Sequence, residues 1–393
     1  DPTLMDYPEE GDGYVTVIQT AKPEFNWSDA TLNFKRPNKN NLVIYELWIR
    51  DHTPARNIAG LMERLNYFSD LGVNAIELMP ITEFDGNDSW GYSPNHYFAL
   101  DKAYGTPEQL KSFIDACHKR GIAVILDMVF NHATGLNPMN KLYPYGEDLS
   151  HNPWFNVNAP HGDNVYEDWN HDFEPAHQMF IRALQYWLTE YKVDGFRLDL
   201  SHGLCGAVGG TSVRNIKDYY EKGVKAVEPD AYMILEHWGD NMLADRNELV
   251  KAGMLCWENT SEAYYETAKG YTNSSFANAN KDGYVSYCES HDEERTCYGA
   301  AADASSVTWG ICGTLTSWGS SPDIKMNAQG AFFVAKNVTF KADDLFKIRG
   351  NGVWNDAFNY GASAKGYKLP LNTGYTMTLG AGSQDMAVPA AGT

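Results

Sequence analysis

Residues 193–200 read VDGFRLDL. The run is apolar enough to be a buried strand, and its charged pair, Arg197 and Asp199, stands two residues apart and so on one face. A strand of a parallel sheet that ends this way sets a carboxylate beside a fixed cation where the sheet opens to solvent. The cation favours the ionised carboxylate and makes Asp199 available as a nucleophile. Taken alone, the string reads equally well as a structural ion pair at a strand end, so the surrounding chain must decide.

Working outward, strand-like and helix-like segments alternate from about residue 43. The pattern predicts strands at 43–49, 74–79, 122–127, 195–199, 232–236, 253–256 and 284–288. Helical spacing falls at 58–71, 107–120, 174–191, 212–227, 241–251 and 261–269. The second of these is the most clearly punctuated, with Thr106 as cap, Pro107 in the first turn and Gly121 as the stop. Such alternation predicts an α/β fold whose parallel sheet is covered or closed by helices, with its chemistry at the carboxyl ends of the strands. Residues 131–170 interrupt the pattern as a Pro-, Asn-, Gly- and aromatic-rich excursion. Residues 1–42 stand outside it as a linker or small β element, with a strand at 14–20. Past residue 309 the texture changes to short, Gly-punctuated strands at 331–334, 337–341, 345–349 and 375–379, which predicts an all-β sandwich. The expected domains are therefore 1–42, 43–298 with the excursion inside it, and 303–393.

The 393 residues are 43% hydrophobic, which suits a globular chain of two or three domains. The net charge of −20 argues against nucleic acid, whose binding needs clustered cations. No apolar run approaches the roughly 20 residues of a membrane span. The opening DPTLMDYPEE lacks the basic and apolar regions of a signal peptide, so the expectation is either an intracellular protein or one whose signal has been removed. Aromatic residues reach 13%, which suits both a sugar-binding surface and a β-rich core. The six cysteines form no metal spacing, and disulfide status and redox compartment are left open; Cys256 and Cys288 read as buried thiols.

Four strand ends carry the polar residues: DMVFNH at 127–132, GFRLD at 195–199, LEHW at 235–238 and ESHDEE at 289–294. Carboxylates from different strands at one end of a sheet can converge on one atom, and glycoside hydrolysis needs two of them. These strings, in this order, resemble the α-amylase family of retaining glycoside hydrolases. EDWNH at 167–171, AIELMPI at 75–81 and WGYSP at 90–94 extend the likeness across about residues 43–295. The resemblance implies a TIM-type (β/α)8 barrel with the excursion as domain B.

It further implies Asp199 as nucleophile, Glu236 as general acid/base and Asp292 as a third carboxylate that binds sugar hydroxyls. His132 and His291 would hydrogen-bond the same sugar, Tyr92 would stack on it, Arg197 would hold the nucleophile ionised, and Trp238 would be a platform on the leaving-group side. Asp127 and Asn131 are open to either substrate contact or knitting the strand end together. The family often holds a calcium ion, for which the matching positions are Asn131, Asp168 and the carbonyl of Gly203; an all-oxygen set suits Ca²⁺.

Two departures stand out. His202-Gly203 replaces a common Lys-His pair after the nucleophile. Only about a dozen residues separate the seventh strand's motif from the β module, too few for an eighth strand and its helices. A chain with residues missing, or an open barrel edge near 296–309, is therefore expected.

The stretch 309–388 resembles the starch-binding modules of bacterial cell-surface starch-capture lipoproteins, with Trp318, Lys347, Arg349 and Trp354 as the implied glucan contacts. The function implied is retaining endo-hydrolysis of α-1,4 bonds in starch or a related α-glucan. A non-catalytic glucan binder with a relic barrel and a transglycosylase are the alternatives. The implied partner is an α-glucan and the implied location secreted or cell-surface; oligomeric state is left open.

Overall fold

The computed structural model describes residues 24–142, 149–206, 212–239, 241–268, 276, 281–296, 307–329, 332–354, 359–370 and 375–392, with two short paired strands at Leu4–Asp6 and Tyr14–Thr16. It divides into two compact units, 1–258 with 277–286, and 259–276 with 287–393.

The first unit is built on β1 (Ile44–Leu47), β2 (Ala75–Leu78), β3 (Ala123–Met128), β4 (Gly195–Leu198), β5 (Tyr232–Leu235), β6 (Leu255–Asn259) and β7 (Tyr284–Tyr287), which lie side by side in chain order. The ladders from β1 to β6 are parallel. Neighbouring strands in sequence are thus neighbours in space, as helical crossovers dictate. β2 to β5 are buried along their whole length, which is why they read as nearly continuous apolar runs. The core gathers Ile76, Leu126, Phe196 and Met233 from the sheet with Phe113, Phe180, Leu184 and Trp187 from the helices.

The helix at Pro107–His118 starts on a capping box. The Thr106 hydroxyl accepts from the Gln109 amide, and the Gln109 side chain accepts from the Thr106 amide. Glu174–Glu190 is the other long helix. No helix among the described residues is long and apolar enough to cross a membrane.

Several expected elements are shifted, each for a local reason. The 58–71 pattern divides into Ile58–Met62 and Leu65–Leu71, although Ile58, Leu61, Leu65 and Phe68 are all buried as their spacing predicts. β6 begins later than expected because Gly253, at φ 108°, turns the chain out of the preceding helix. The 212–227 helix changes winding, from an α-helix at Ser212–Asp218 to a wider π-helix at Tyr219–Lys225. The excursion is mostly irregular, pinned by a two-residue ladder between His132–Ala133 and Glu167–Asp168. A hairpin of Thr82–Phe84 with Pro94–Leu100 was not anticipated.

In the second unit, Trp309–Gly313 pairs antiparallel with Leu345–Gly350, so it is no eighth parallel strand. The sheet continues through Asn359–Gly361 to Thr378–Leu379, and Asn327–Gln329 forms a hairpin with Phe332–Val334. The strand expected at 337–341 does not form. Asn337 is left-handed at φ 57°, and only an isolated bridge from Phe340 to Gly392 remains. The expected break near 296–309 falls largely on 297–306, outside the described residues. Cys288 is exposed, not buried as its apolar run suggested, and the five described cysteines are free thiols.

Candidate active site

Parallel register builds the first unit's polar cluster. Arg197 on β4 pairs level with Asp127 on β3, and Leu198 pairs with Leu235 on β5. The next residues, Asp199 and Glu236, therefore leave their strands side by side. Backbone bonds from Asp199 N to Met128 O (3.1 Å) and Glu236 N to Leu198 O (3.1 Å) hold that level. All four polar groups lie at or near the carboxyl ends of adjacent parallel strands.

Arg197 is the hub and is fully buried. Its Nη1 donates to both Asp127 oxygens at 3.0 Å and to Asp199 Oδ1 at 2.9 Å. Its Nη2 lies 2.8 Å from Glu236 Oε2, close as an ion pair but poorly aligned as a hydrogen bond. The guanidinium lies 4.2 Å from the centroid of the Trp257 ring and 5.9 Å from that of Tyr92. Burial works against its charge, but Asp127 and Glu236 outweigh burial and raise its pKa still further.

Glu236 accepts two further donors, Leu200 N at 2.9 Å and Trp238 Nε1 at 3.2 Å. Leu200 reaches it by adopting a left-handed backbone, φ 37°, directly after the nucleophile candidate. Tyr92 donates its hydroxyl to Asp127 Oδ2 at 2.6 Å. His132 is buried, which lowers its pKa; Nε2 bonds Tyr92 O at 2.8 Å, while Nδ1 is buried without a protein partner.

The charge on Asp199 runs counter to expectation. Burial, joined by Glu236 and Asp127, outweighs Arg197 and pushes Asp199 up to about 8. Three carboxylates around one guanidinium would leave two uncompensated buried charges, so the cluster retains a proton at neutral pH. Glu77 on β2 adds a further buried carboxyl, raised by burial and by Glu46 and Asp127. Sequence reasoning missed Glu77 and Trp257, because each is recognisable only once strand register brings it beside the hub.

Residues 31–177 match the model of the α-amylase catalytic domain. This segment is similar to the α-amylase catalytic domain. The chain is 35% identical over 231 residues to malto-oligosyltrehalose trehalohydrolase of Saccharolobus solfataricus, covering 58% of this chain and 38% of that protein. It is 27% identical over 202 residues to a cyclomaltodextrinase of a Bacillus species, covering 48% and 34%. The chain thus spans about a third of the length of the curated relatives it matches. Among solved structures, pullulanase type I of Bacillus subtilis superposes with a TM-score of 0.58 at 22% identity, covering 76% of this chain and 50% of that one. That likeness speaks to the fold.

The α-amylase calcium positions can be tested against the side chains present. Both polar atoms of the Asn131 side chain are buried without a partner, and Asn131 lies against Gly203. The Asp168 oxygens accept from Asn156 Nδ2 at 2.6 Å and pair with His161 Nε2 at 2.8 Å. The all-oxygen donors fit Ca²⁺ in kind, with the orphaned Asn131 oxygen the strongest sign. The His161 ring lies between Asp168 and Gly203 and would have to turn aside for an ion.

Asp292 and His291 lie in the second unit, where His291 Nε2 is 3.2 Å from Asp292 Oδ1. The Trp318 and Trp354 rings, also in that unit, are 6.2 Å apart and tilted by 33°. Trp354 is 49% exposed, so it is not core. The two cations expected to meet sugar hydroxyls are otherwise engaged. Arg349 is buried, doubly paired to Asp323 at 2.7 and 2.8 Å, and stacks 4.5 Å from the Trp354 ring centroid. Lys347 Nζ donates to the Ser383 carbonyl at 2.7 Å. Arg349 braces the Trp354 ring, and Lys347 ties its strand to Ser383.

Proposed function

We propose that the chain hydrolyses α-1,4-glucosidic bonds of starch or a related α-glucan with retention of configuration. The observation that carries this reading is the Arg197 hub, which holds Asp199 and Glu236 on the two terminal nitrogens of one guanidinium. The retaining class requires these carboxyls roughly 5–5.5 Å apart, and a guanidinium shared between them is compatible with that spacing. With the cluster's shared proton moved from Asp199 to Glu236, Asp199 attacks the anomeric carbon as its carboxylate while Glu236 delivers that proton to the leaving oxygen. Deprotonated Glu236 then activates water against the glycosyl ester. Tyr92 and His132 orient the sugar. Ca²⁺ at Asn131, Asp168 and Gly203 would tie the excursion to the barrel and take no part at the reacting bond. A secreted or cell-surface location would suit action on starch met outside the cell.

Product analysis on amylose, pullulan and cyclodextrin, with the anomer read by NMR, tests this. Release of the β-anomer, or no release of reducing ends, defeats it. A second reading is favoured by the trehalohydrolase relatives: cleavage of a malto-oligosyltrehalose. Trehalose among the products would select it.

The shared proton gives a pH prediction. Asp127 is one of the like charges raising Asp199, so Asp127→Asn moves the acidic limb of the kcat/KM profile to lower pH, toward the ordinary aspartate range. A limb that stays in place would show that Asp127 does not act on the nucleophile.

We assign the Trp318–Trp354 pair to stacking on glucan. Trp354→Ala is expected to weaken adsorption to insoluble starch about tenfold, the loss of one ring face and its stacking. Unchanged adsorption isotherms would remove the starch-binding assignment.

A further inference from the structure

The hydrogen bonds of the Arg197 guanidinium to its carboxylates leave through one atom. Nη1 serves both Asp127 oxygens and Asp199, Nε has no hydrogen-bond partner among the described residues, and Nη2 meets Glu236 only as a poorly aligned ion pair. A guanidinium is oriented when two of its nitrogens bond one carboxylate in parallel. Bonds gathered on Nη1 fix where that nitrogen sits and leave the plane of the group free to swing about it. We infer that Trp257 is the positioning residue that fixes this plane: its ring face carries the guanidinium, so that Nη2 stays on Glu236 while Nη1 holds Asp199. This rests on the function proposed above and extends it to a buried residue outside the reacting groups.

Strand register brings Trp257 to the hub. Leu198 pairs with Leu235, and Leu235 with Cys256. Asp199, Glu236 and Trp257 therefore follow at one level on β4, β5 and β6 and share one face of the sheet. Trp257 is 4% exposed. The guanidinium carbon lies 4.2 Å from its ring centroid, too close for an edge-on approach and so over the π face. A cation is held most firmly by such a face where water is excluded, and Arg197 is fully buried.

Trp257 is itself anchored. Its carbonyl accepts from Nη2 of Arg246 at 2.5 Å, a second buried arginine on the helix Met242–Lys251. Arg246 also pairs with Glu258 and lies 5.3 Å from the ring centroid of Trp238, which donates to Glu236. The two rings that meet the cluster, one by its face and one by its N–H, thus share one support. An aliphatic side chain would exclude water from Arg197 as well, but it offers the cation no π face.

The test compares wild type, Trp257→Leu and Trp257→Phe by kcat, by KM for maltoheptaose and by carbon-13 NMR titration of the Asp199 carboxyl, its signal identified by its absence from Asp199→Asn. Trp257→Leu is expected to lower kcat about tenfold and to change KM less than about twofold, the loss of one desolvated cation–π contact away from the sugar. Arg197 lowers Asp199 while Asp127 and Glu236 raise it, so a guanidinium no longer held lets the Asp199 midpoint move above about 8. Trp257→Phe keeps a face and recovers most of both changes. A residue that only fills the core would alter the melting temperature and leave the midpoint in place. If Trp257→Leu does not fold, fluorinated tryptophans incorporated at position 257 keep the shape while withdrawing charge from the face, and log kcat and the midpoint then change stepwise with each fluorine. An unmoved midpoint, or an unchanged kcat in an active enzyme, overturns the proposal. A moved midpoint in a protein whose wild type hydrolyses no α-glucan defeats the hydrolytic reading and leaves the positioning of Arg197 standing.

Discussion

Asp199→Asn is expected to reduce turnover of α-glucan below about one per cent of wild type while raising the melting temperature at neutral pH. The first effect is chemical. An amide of nearly the same shape can still accept from Arg197 Nη1, but it has no lone pair basic enough to form the glycosyl ester; a hundredfold loss corresponds to about 2.7 kcal/mol of barrier. The second follows from the buried charge. Folding raises Asp199 to about 8, above its value in the unfolded chain, so the native state binds the extra proton between roughly pH 4 and pH 8. Stability from this group is therefore present at acid pH and is lost as pH rises through that window. Asparagine removes the dependence, so its advantage over wild type is largest at and above pH 8 and vanishes near pH 4. Thermal unfolding across that range checks the sign. Turnover above one per cent would reassign the nucleophile, and a variant less stable at pH 8 would mean that Arg197 outweighs burial after all.

That balance marks where sequence reasoning runs short. Strand positions, the Thr106 cap and the order of the polar strand ends follow from local periodicity and motif, and they place Asp199 beside Glu236. The Arg197–Asp199 pairing was legible because residues two apart share a strand face. The net charge state was not, because it depends on how completely Asp127 and Glu236 surround one guanidinium, and so on cross-strand register. Trp257 and Glu77 were invisible for the same reason. In the second unit, Gly-punctuated short strands correctly marked β texture. That pattern could not foresee that Asp323 and Ser383 would take up Arg349 and Lys347. Cys288 shows the opposite error: a strand-like apolar run implies burial only where another layer covers that face.

Glu236→Gln is expected to lower turnover of starch by about 10²–10⁴-fold, and turnover of an activated aryl glucoside at least about tenfold less severely. The substitution is nearly isosteric. With its carbonyl turned toward Leu200, glutamine still accepts from Leu200 N and stays beside Arg197, while its amide faces Trp238 Nε1 and releases that ring. What is lost is the proton. A sugar alkoxide leaves poorly and depends on protonation as its bond breaks, whereas an activated phenolate leaves without it. Loss on the aryl substrate therefore reports the second role, activation of water against the ester. Azide, which needs no base, should restore turnover of the aryl substrate and yield a glycosyl azide of retained configuration. Equal losses on both substrates, without azide rescue, would mean that Glu236 supports Arg197 and Leu200 but transfers no proton.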